Sequence, residues 1–501
     1  MLLETSSPLI VAPILGHSVA IWATMICLSI GSLALGYFLG GYLSKKDLSE
    51  SFVVRLFAIN ALLLCTGLII LHLQNHSSMD LSDSFYCWLI VGIVLCLPLI
   101  LFGASTPLIV SILHNKLKAD KSVVGRLYSI STVGGVLFSL ITGYWFIPNL
   151  GVSTSIFIAL LVTSIIPLLF YIREKNHKFA GLVGVAVVTA FVLGKMQKEL
   201  PESSDFTVQH FSESINGQLI VTDFEVDGRT NRLLFINRMG QTWIDLETKN
   251  SSWPYVNAIT CIGNIYPSGS KSLVLGLGGG ILPIQLNGYL GHRVDAVEID
   301  QRIIDVSEEF FGLQGVNPIC DDARRYVKTT ENRYNLVVMD IFNGEIMPSH
   351  GLSKESFEDT KKILKQGGML VINFNGFIEG KEGLPARCLM KTLEAAGFKF
   401  KVFDANAGKS AVDNRNMLYL AYVKEPDWTK AFPLTFGPEE HIIADHLIDP
   451  KELYYSDGFV ISDDKPIMEF INRHAAERWR KTYTKNFTKK FKKTHSLPFV
   501  Q

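Results

Sequence analysis

The sequence has few of the features that mark metal centres or disulfide-stabilised folds. Its seven cysteines are scattered over 501 residues, and neither a CxxC nor an HExxH motif occurs. Structural zinc sites normally use cysteines in pairs at short spacing, and a disulfide framework normally uses an even number of cysteines. We therefore expect no metal site and no disulfide framework in this chain.

Net charge is also lacking, because Lys plus Arg and Asp plus Glu both number 47. The balance gives no indication of nucleic-acid binding, and we expect no nucleic-acid partner. The two parts of the chain nevertheless differ. The first is apolar with few charges and causes the positive mean hydropathy of +0.25, whereas the rest has the composition of a soluble α/β protein.

Six apolar runs in the first part approach the length of a membrane span, which needs about 20 apolar residues. They lie near residues 17–43, 52–73, 85–113, 122–147, 151–172 and 179–194, and the last is short for a crossing. Transporters usually keep ionisable residues at mid-membrane depth, and these runs contain almost none. Glu4 stands where a cleavable signal peptide would be basic. We therefore expect an uncleaved, multi-pass anchor whose partner is the lipid bilayer.

The basic residues indicate an orientation for this anchor. Lys and Arg follow the first, third and fifth runs, whereas the segments 74–84 and 148–153 contain none. The positive-inside rule places the basic segments in the cytoplasm. Six full crossings would leave the remaining chain outside the cell, whereas five would leave it inside, and the sequence leaves both open. We expect the short sixth run not to cross, so that the catalytic part faces the cytoplasm at the cell membrane.

Short strands replace the apolar runs from about Phe206. Residues 217–226 and 232–237, separated by a turn at Asp227-Gly228, predict a β-hairpin. Further strands are expected at 272–276, 293–298, 316–320, 335–340, 368–374 and 417–423, with helical patterns between them. This alternation predicts a mostly parallel, doubly wound sheet.

Glycines follow the first of these strands, and acids follow the next ones. The positions are Gly276, Gly278, Gly280, Glu298, Asp322 and Asp340. In such sheets ligands bind at the carboxyl ends of the strands, where glycines permit close approach of the backbone. Each residue alone has an ordinary structural explanation, since glycine runs make turns and Asp322 could cap a helix. Together they predict a nucleotide or nucleoside ligand.

These residues together resemble the spermidine synthase (polyamine aminopropyltransferase) family, from about Phe206 to Lys424. The resemblance rests on the hairpin, the Gln241 loop, the glycine loop, Val297–Asp300, Asp321–Ala323 and Val337–Asp340. Leu35–Leu43, Gly125–Gly135, Ile147–Gly151 and Ile461–Pro466 are similar to motifs of the membrane-fused branch of that family. Family chains usually carry one more apolar helix before the position of Glu4, so the resemblance implies a shortened start.

The resemblance implies a multi-pass α-helical membrane domain, then a Rossmann-like α/β domain of the S-adenosylmethionine-dependent transferase type with a small N-terminal β domain. We place the membrane domain at residues 1–200 and the β-hairpin domain with a gate region at 201–265. The nucleoside-binding catalytic domain is expected at 266–430, and a C-terminal extension with a basic tail at 431–501. The resemblance leaves a homodimer open.

The family reaction moves an aminopropyl group from decarboxylated S-adenosylmethionine to an amine such as putrescine. By resemblance, Asp340 is the catalytic residue that holds the amine and takes its proton, a task that suits a carboxylate. Tyr255 would line the amine entrance. The implied nucleoside contacts are Gln241 along the thioadenosine, Glu298 on the ribose hydroxyls, Asp322 with the Ala323 backbone on the adenine amine, and the glycine loop.

Three positions depart from the family pattern, since Ile281, Asn257 and Asn343 stand where the family has acids. A diamine is a double cation and needs an acidic channel, for which Glu345 and His350 are candidate replacements. Asn343 is kept as a candidate acceptor-binding residue. Two alternatives therefore stay open. One is a methyltransferase or other transferase that uses S-adenosylmethionine itself, and the other is a non-catalytic membrane protein that binds a thioadenosine compound.

Overall fold

The computed structural model describes residues 2–15, 19–46, 48–76, 88, 91–117, 122–196, 206–342, 344–345, 347–405, 414–431, 447–448 and 453–490. The chain divides into two compact units. One contains Met1–Ile220 with Lys485–Gln501, and the other contains Val221–Thr484. The domain boundaries expected from the sequence stay predictions.

The first unit is mainly helical. Its helices are Leu2–Leu15, Val19–Leu43, Glu50–His76, Leu97–Leu117, Ser122–Ile141, Ile147–Arg173 and His177–Met196, with short π-helical stretches at Gly92–Cys96 and Thr142–Phe146. The helix Leu2–Leu15 lies outside the apolar runs identified in the sequence.

Among the described residues of this unit, five stretches are long and apolar enough to cross a membrane. They are Val19–Leu43, Glu50–Ile70, Gly92–His114, Val124–Val152 and Thr154–Arg173. The apolar stretch His177–Val192 is shorter, in agreement with the expectation that the sixth run is short for a crossing. The predicted apolar helices are therefore present, by length and composition.

The helices Val19–Leu43 and Leu97–Leu117 approach each other at backbone distance. A β-carbon added at Gly36 would lie 2.3 Å from the carbonyl oxygen of Ile100, and one added at Gly40 would lie 2.3 Å from that of Ala104. Larger side chains would force the helices apart, which is why small residues favour close helix packing in lipid.

The helix Ile147–Arg173 is interrupted at Gly151, whose φ is 79° and ψ is 172°. The backbone N–H of Val152 donates to Oε2 of Glu213, at 2.9 Å. A carboxylate in this position satisfies a backbone donor that the interruption leaves without a helical acceptor. Glu213 lies on strand β1 (Phe206–Ser214), so β1 is joined to this helix.

A four-stranded sheet follows the helices, with the order β1–β2–β3–β4. Its other strands are β2 (Gly217–Val226), β3 (Arg229–Ile236) and β4 (Met239–Asp245). The division between the two units falls within β2. The predicted hairpin is confirmed, and its turn places Asp227 and Gly228 at positive φ, 51° and 77°.

The second unit contains an eight-stranded sheet with the order β12–β10–β11–β9–β8–β5–β6–β7. Its strands are β5 (Lys271–Leu275), β6 (Arg293–Glu298), β7 (Val316–Cys320), β8 (Tyr334–Met339), β9 (Leu364–Gly376), β10 (Lys399–Asp404), β11 (Arg415–Tyr422) and β12 (Leu447–Ile448). Strands β9, β8, β5, β6 and β7 run parallel to one another. Strand β11 runs antiparallel to β9. The predicted mostly parallel, Rossmann-like sheet is confirmed.

Helices connect these strands. They are Pro254–Gly263, Ile281–Gly288, Gln301–Phe310, Ala323–Thr329, Lys354–Ile363 and Leu384–Ala395, followed by Met468–Ile471 and Arg473–Lys490. The central strands are covered, since Leu336, Val337 and Val338 on β8 are each 0% exposed. A parallel sheet buried in this way presents the carboxyl ends of its strands as the place for a ligand.

Candidate active site

The glycine loop after β5 requires glycine for two reasons. Gly276, Gly278 and Gly280 have φ of 92°, 54° and 76°, a region that other residues rarely adopt. A β-carbon at Gly276 would also lie 2.1 Å from the carbonyl oxygen of Asp340. The loop therefore brings the ends of β5 and β8 into contact.

Thr242 supports this loop from β4. Its Oγ1 accepts a hydrogen bond from the N–H of Gly279, at 2.7 Å. Ser307 donates to the carbonyl oxygen of Gly278, also at 2.7 Å. Thr242 was not identified from the sequence as a support of the glycine loop. Its position beside Gln241 was the available indication.

Glu298 ends strand β6 and is buried beside the glycine loop. Its carboxylate accepts hydrogen bonds from the N–H groups of Leu277 and Asp300, each at 3.1 Å. Burial raises the pKa of Glu298, and these two hydrogen bonds oppose the shift. A carboxylate has more acceptor positions than these two donors use, so it can also accept from ribose hydroxyls.

Asp322 caps the helix Ala323–Thr329. Its Oδ1 accepts from the N–H of Arg325 at 2.8 Å, and the guanidinium of Arg325 pairs with Asp321. The capping role considered from the sequence is therefore confirmed. Contacts of Asp322 and Ala323 with an adenine amine stay a prediction.

Asp340 follows β8 at the centre of the sheet and accepts two side-chain hydrogen bonds. Asn373 Nδ2 donates to Oδ1 at 2.7 Å, and the Tyr255 hydroxyl donates to Oδ2 at 3.2 Å. Burial raises the pKa of Asp340 to about 6, although both hydrogen bonds oppose the shift. Burial and the Asp340 charge raise the pKa of Tyr255 well above its usual value. At neutral pH the pair therefore combines an ionised carboxylate with a protonated phenol.

Asn373 in turn belongs to a row of amides on β9 and β11. Asn416 Nδ2 donates to Asn373 Oδ1 at 3.0 Å, and Asn375 Nδ2 donates to Asn416 Oδ1 at 3.1 Å. Sequence reasoning missed all three residues. The motif NFN on β9 was the available signal, because polar residues at alternate positions of a buried strand need partners.

Gln241 bridges β4 and the loop after Asp340. Its Nε2 donates to the carbonyl oxygens of Gly344 and Met239, at 3.0 and 3.4 Å. Asn343, which was predicted to bind the acceptor, lies outside the described residues. The structure therefore places Gln241 beside the loop that follows the candidate catalytic carboxylate.

Neutral groups occupy the two described positions where the family has acids. Ile281 is the first residue of the helix Ile281–Gly288 and is only 5% exposed. Asn257 Oδ1 accepts from Gln285 Nε2 at 3.2 Å, and Thr260 donates to Gln285 Oε1 at 2.8 Å. These two positions therefore carry an alkyl group and an amide rather than a charge.

Glu345, a candidate replacement for the missing acids, forms a buried ion pair. Arg480 Nε donates to Glu345 Oε1 at 2.9 Å, and a second guanidinium nitrogen contacts Oε2. Arg480 also donates to the carbonyl oxygen of Asn237 at 3.0 Å. The other candidate, His350, is exposed. Arg480 thus balances the negative charge of Glu345.

Among the residues that the structure describes, no group of three or more His, Cys, Asp or Glu side chains could hold a metal ion. The arrangement at the strand ends therefore consists of carboxylates, amides, a phenol and a glycine loop, all in the second unit.

These features place carboxylates, amides and a glycine loop at the carboxyl ends of parallel strands, where α/β sheets bind their ligands. Residues 255–383 match the family model described as the spermine/spermidine synthase domain. The polyamine aminopropyltransferase of Vibrio vulnificus is 31% identical over 180 residues, which are 33% of this chain and 59% of that protein. Polyamine aminopropyltransferase 2 of Aquifex aeolicus is 22% identical over 405 residues, covering 77% of this chain and 78% of that protein.

A probable spermidine synthase from Corynebacterium glutamicum is among the similar solved structures. It has a TM-score of 0.37 and 18% identity, and the match covers 55% of this chain and 94% of that one. The match of residues 255–383 to this family model agrees with the resemblance found in the motifs. The similarity to the membrane-fused branch stays a prediction.

Proposed function

We propose that this protein is a membrane-anchored polyamine aminopropyltransferase, which transfers the aminopropyl group of decarboxylated S-adenosylmethionine to an amine such as putrescine. The observation that supports it most is the setting of Asp340. This partly buried residue stands at the carboxyl end of the central strand β8, and its backbone carbonyl group lies against Gly276 of the glycine loop. Its pKa of about 6 suits a group that must accept a proton near neutral pH.

The reaction requires few groups from the protein. The lone pair of a neutral amine attacks the aminopropyl carbon that is bonded to the sulfonium sulfur. The carbon–sulfur bond breaks, and its electron pair goes to sulfur, which leaves as neutral methylthioadenosine. The new amine carries one proton too many, and Asp340 accepts it. Tyr255 and Asn373 hold the carboxylate in place, so most of the rate gain comes from orientation and proton transfer.

The donor is held by the other strand ends in this proposal. Glu298 accepts the ribose hydroxyls beside the glycine loop, Asp322 and the Ala323 N–H contact the adenine, and Gln241 lies along the thioadenosine. The loop glycines let the backbone approach the nucleoside closely. The proposal is supported by the positions of the glycine loop, Glu298 and Asp322 at the carboxyl ends of β5, β6 and β7, whereas Gln241 lies on β4.

A second candidate activity is methyl transfer from S-adenosylmethionine. It is favoured by Ile281, since an apolar residue at the start of the helix neither attracts the ammonium of the decarboxylated donor nor repels the carboxylate of S-adenosylmethionine. The acceptor would then differ from a diamine. The two activities share the nucleoside contacts and differ in the leaving product, which makes them separable.

The decisive experiment is a donor comparison with the purified full chain in detergent. The protein is incubated with each sulfonium donor and with putrescine, longer polyamines, monoamines or a membrane extract, and the nucleoside products are separated by mass spectrometry. Methylthioadenosine that depends on an amine supports the proposal, and the Asp340→Asn variant serves as the matched control. S-adenosylhomocysteine as the only product would replace the proposal by methyl transfer. Binding without either product would favour a non-catalytic role.

We also propose that the catalytic unit faces the cytoplasm, where sulfonium nucleosides are made. This follows from the short sixth apolar stretch and from the basic segments after the first, third and fifth runs. A fluorescent reporter fused after Gln501 should be bright and a phosphatase reporter inactive. The reverse result would place the site outside the cell and require an extracytoplasmic ligand.

A further inference from the structure

Three asparagines form a continuous row of hydrogen bonds that ends at Asp340. The successive donor–acceptor distances are 3.1 Å from Asn375 to Asn416, 3.0 Å from Asn416 to Asn373 and 2.7 Å from Asn373 to Asp340. Strands β9 and β11 are antiparallel, with Asn416 directly opposite Asn375 and one diagonal step from Asn373. Asn373 and Asn375 are 1% and 6% exposed, so water cannot easily replace their partners.

The charge of Asp340 determines the direction of this row. An ionised carboxylate accepts hydrogen bonds and cannot donate one, so Asn373 must turn its NH₂ group towards it. The oxygen of Asn373 then faces Asn416, which must donate in turn, and Asn375 donates to Asn416 for the same reason. All three amide dipoles therefore point the same way, an arrangement in which each hydrogen bond strengthens the next.

The reverse orientation has a different requirement at Asp340. If the Asn373 amide rotated by half a turn, its oxygen would face a carboxylate oxygen. That contact is favourable only when Asp340 carries a proton to donate. Orientation of the Asn373 amide and ionisation of Asp340 are therefore coupled, and the residues that hold the amide act on the acid through it.

We infer that Asn416, supported by Asn375, is a positioning residue that holds the Asn373 amide with its hydrogens towards Asp340 and so keeps this carboxylate ready to accept a proton. The inference rests on the proposed function for its catalytic meaning, since it assigns Asp340 the proton-accepting role. It adds two residues that touch neither substrate nor reacting atoms.

The other groups that face Asp340 do not account for this role. The Tyr255 hydroxyl comes from the helix Pro254–Gly263, and the backbone carbonyl of Leu275 on β5 accepts from the Asp340 N–H at 2.8 Å. Tyr255 is the titratable group of this set, and it stays protonated because burial raises its pKa. The Tyr255 hydroxyl can donate or accept by rotation of its own O–H bond, whereas the direction of the Asn373 amide is held by the row of amides behind it.

The test compares the pH dependence of kcat/KM in the parent, Asn373→Leu, Asn416→Leu and the double variant. Asn373→Leu should move the acidic limb of the kcat/KM profile to higher pH by about one unit, because a hydrogen bond to the charged form of Asp340 is lost. Asn416→Leu should move it in the same direction by about half a unit. In the double variant the Asn416 change should add nothing further, since it acts through Asn373.

A merely structural role gives a different result. Asn416→Leu would then lower kcat at every pH without moving the limb, and the two changes would add in the double variant. Either result overturns the inference. Asn416→Ser is a smaller second variant that keeps a donor, and its limb should lie closer to that of the parent. A limb as displaced as that of Asn416→Leu would also contradict the inference.

A readout without turnover separates this inference from the proposed function. A raised Asp340 pKa lowers folding stability as pH rises towards that pKa, so the thermal unfolding temperature of the full chain in detergent should depend on pH. Asn416→Leu should extend this decline to higher pH, and the difference should vanish in the Asp340→Asn background. If no aminopropyl transfer occurs, the proposed function fails while this comparison still decides whether the row of amides acts on Asp340. An unchanged decline in Asn416→Leu would refute it.

Discussion

The two sides of the candidate site are built by different means. In the proposed assignment, the nucleoside side uses a glycine loop with positive φ and the Glu298 carboxylate, which lie next to each other through parallel strands β5 and β6. The proposed amine side has the Asp340 carboxylate, which accepts from the neutral side chains of Asn373 and Tyr255, and the Glu345 carboxylate, which is paired with an arginine. Under this assignment donor binding and acceptor choice can change separately, because the two sides use different residues.

The largest expected effect comes from removing the proton acceptor. Asp340→Asn should lower transfer by about 10²–10⁴-fold, the usual contribution of general acid–base catalysis. The affinity for methylthioadenosine should stay within about twofold, since the change lies on the amine side. Turnover assays and calorimetry on the same preparation measure both quantities. A variant with near-parental turnover would leave Asp340 a structural residue and remove the main support for the enzyme.

The same variant should be more stable than the parent at neutral pH. Burial raises the Asp340 pKa from 3.8 to about 6, so the folded protein binds a proton that the unfolded chain has released. Stability from this group is therefore present below pH 3.8 and is lost as pH rises to about 6. Asparagine avoids that loss, which corresponds to about 3 kcal/mol. Thermal unfolding at pH 7.5 and pH 4.5 should differ less in the variant than in the parent.

Acid should inhibit transfer in the parent. Because the carboxylate must be ionised to accept a proton, kcat/KM should fall about tenfold for each pH unit below the Asp340 pKa of about 6. Nucleoside affinity measured over the same range should change much less. A flat rate profile down to pH 4.5 would contradict the assignment of Asp340 as the proton acceptor.

On the nucleoside side, Glu298→Gln should weaken methylthioadenosine binding by about tenfold to a hundredfold. An amide accepts fewer and weaker hydrogen bonds from ribose hydroxyls than a carboxylate does. The Leu277 and Asp300 N–H groups bind different oxygens of Glu298, so the amide oxygen keeps one contact and the amide NH₂ faces the other donor. Thermal unfolding of the variant therefore accompanies the binding measurement. Calorimetry gives the affinities, and equal values in variant and parent would remove Glu298 from the site.

The smallest expected effect concerns donor choice. Ile281→Asp should raise the preference for the decarboxylated donor over S-adenosylmethionine, by about tenfold, through attraction of its ammonium. Burial of an unpaired carboxylate could cost several kcal/mol, so the ratio of the two donors is the measurement rather than either rate. Ile281→Asn is the matched uncharged control. If the parent already uses putrescine efficiently, another acid takes the role of the family acid that Ile281 replaces.

Local patterns in the sequence predicted the parallel sheet and the positions of the glycine loop and Glu298 at its strand ends. Glycines after β5 and an acid after β6 are neighbours in sequence and in space, because consecutive parallel strands pair. The amine side depends on contacts between distant positions, such as Asn373 with Asn416 and Glu345 with Arg480, which lie 43 and 135 residues apart. No spacing rule predicts such pairs. Strand β10 was not predicted from the sequence, because its lysines are typical of a solvent-exposed segment.

The buried Arg480–Glu345 pair has a consequence in evolutionary terms. Glu345 stands five residues after Asp340, and its charge is balanced from a helix far along the chain. Loss of Arg480 alone would free a carboxylate in the loop after Asp340, at a stability cost of about 3–5 kcal/mol if the loop stayed buried. Conversely, the gain of an arginine on the helix Arg473–Lys490 would neutralise an acid in the loop after Asp340. One position remote from the sheet can therefore change the charge of the loop after Asp340 while every strand-end residue stays the same.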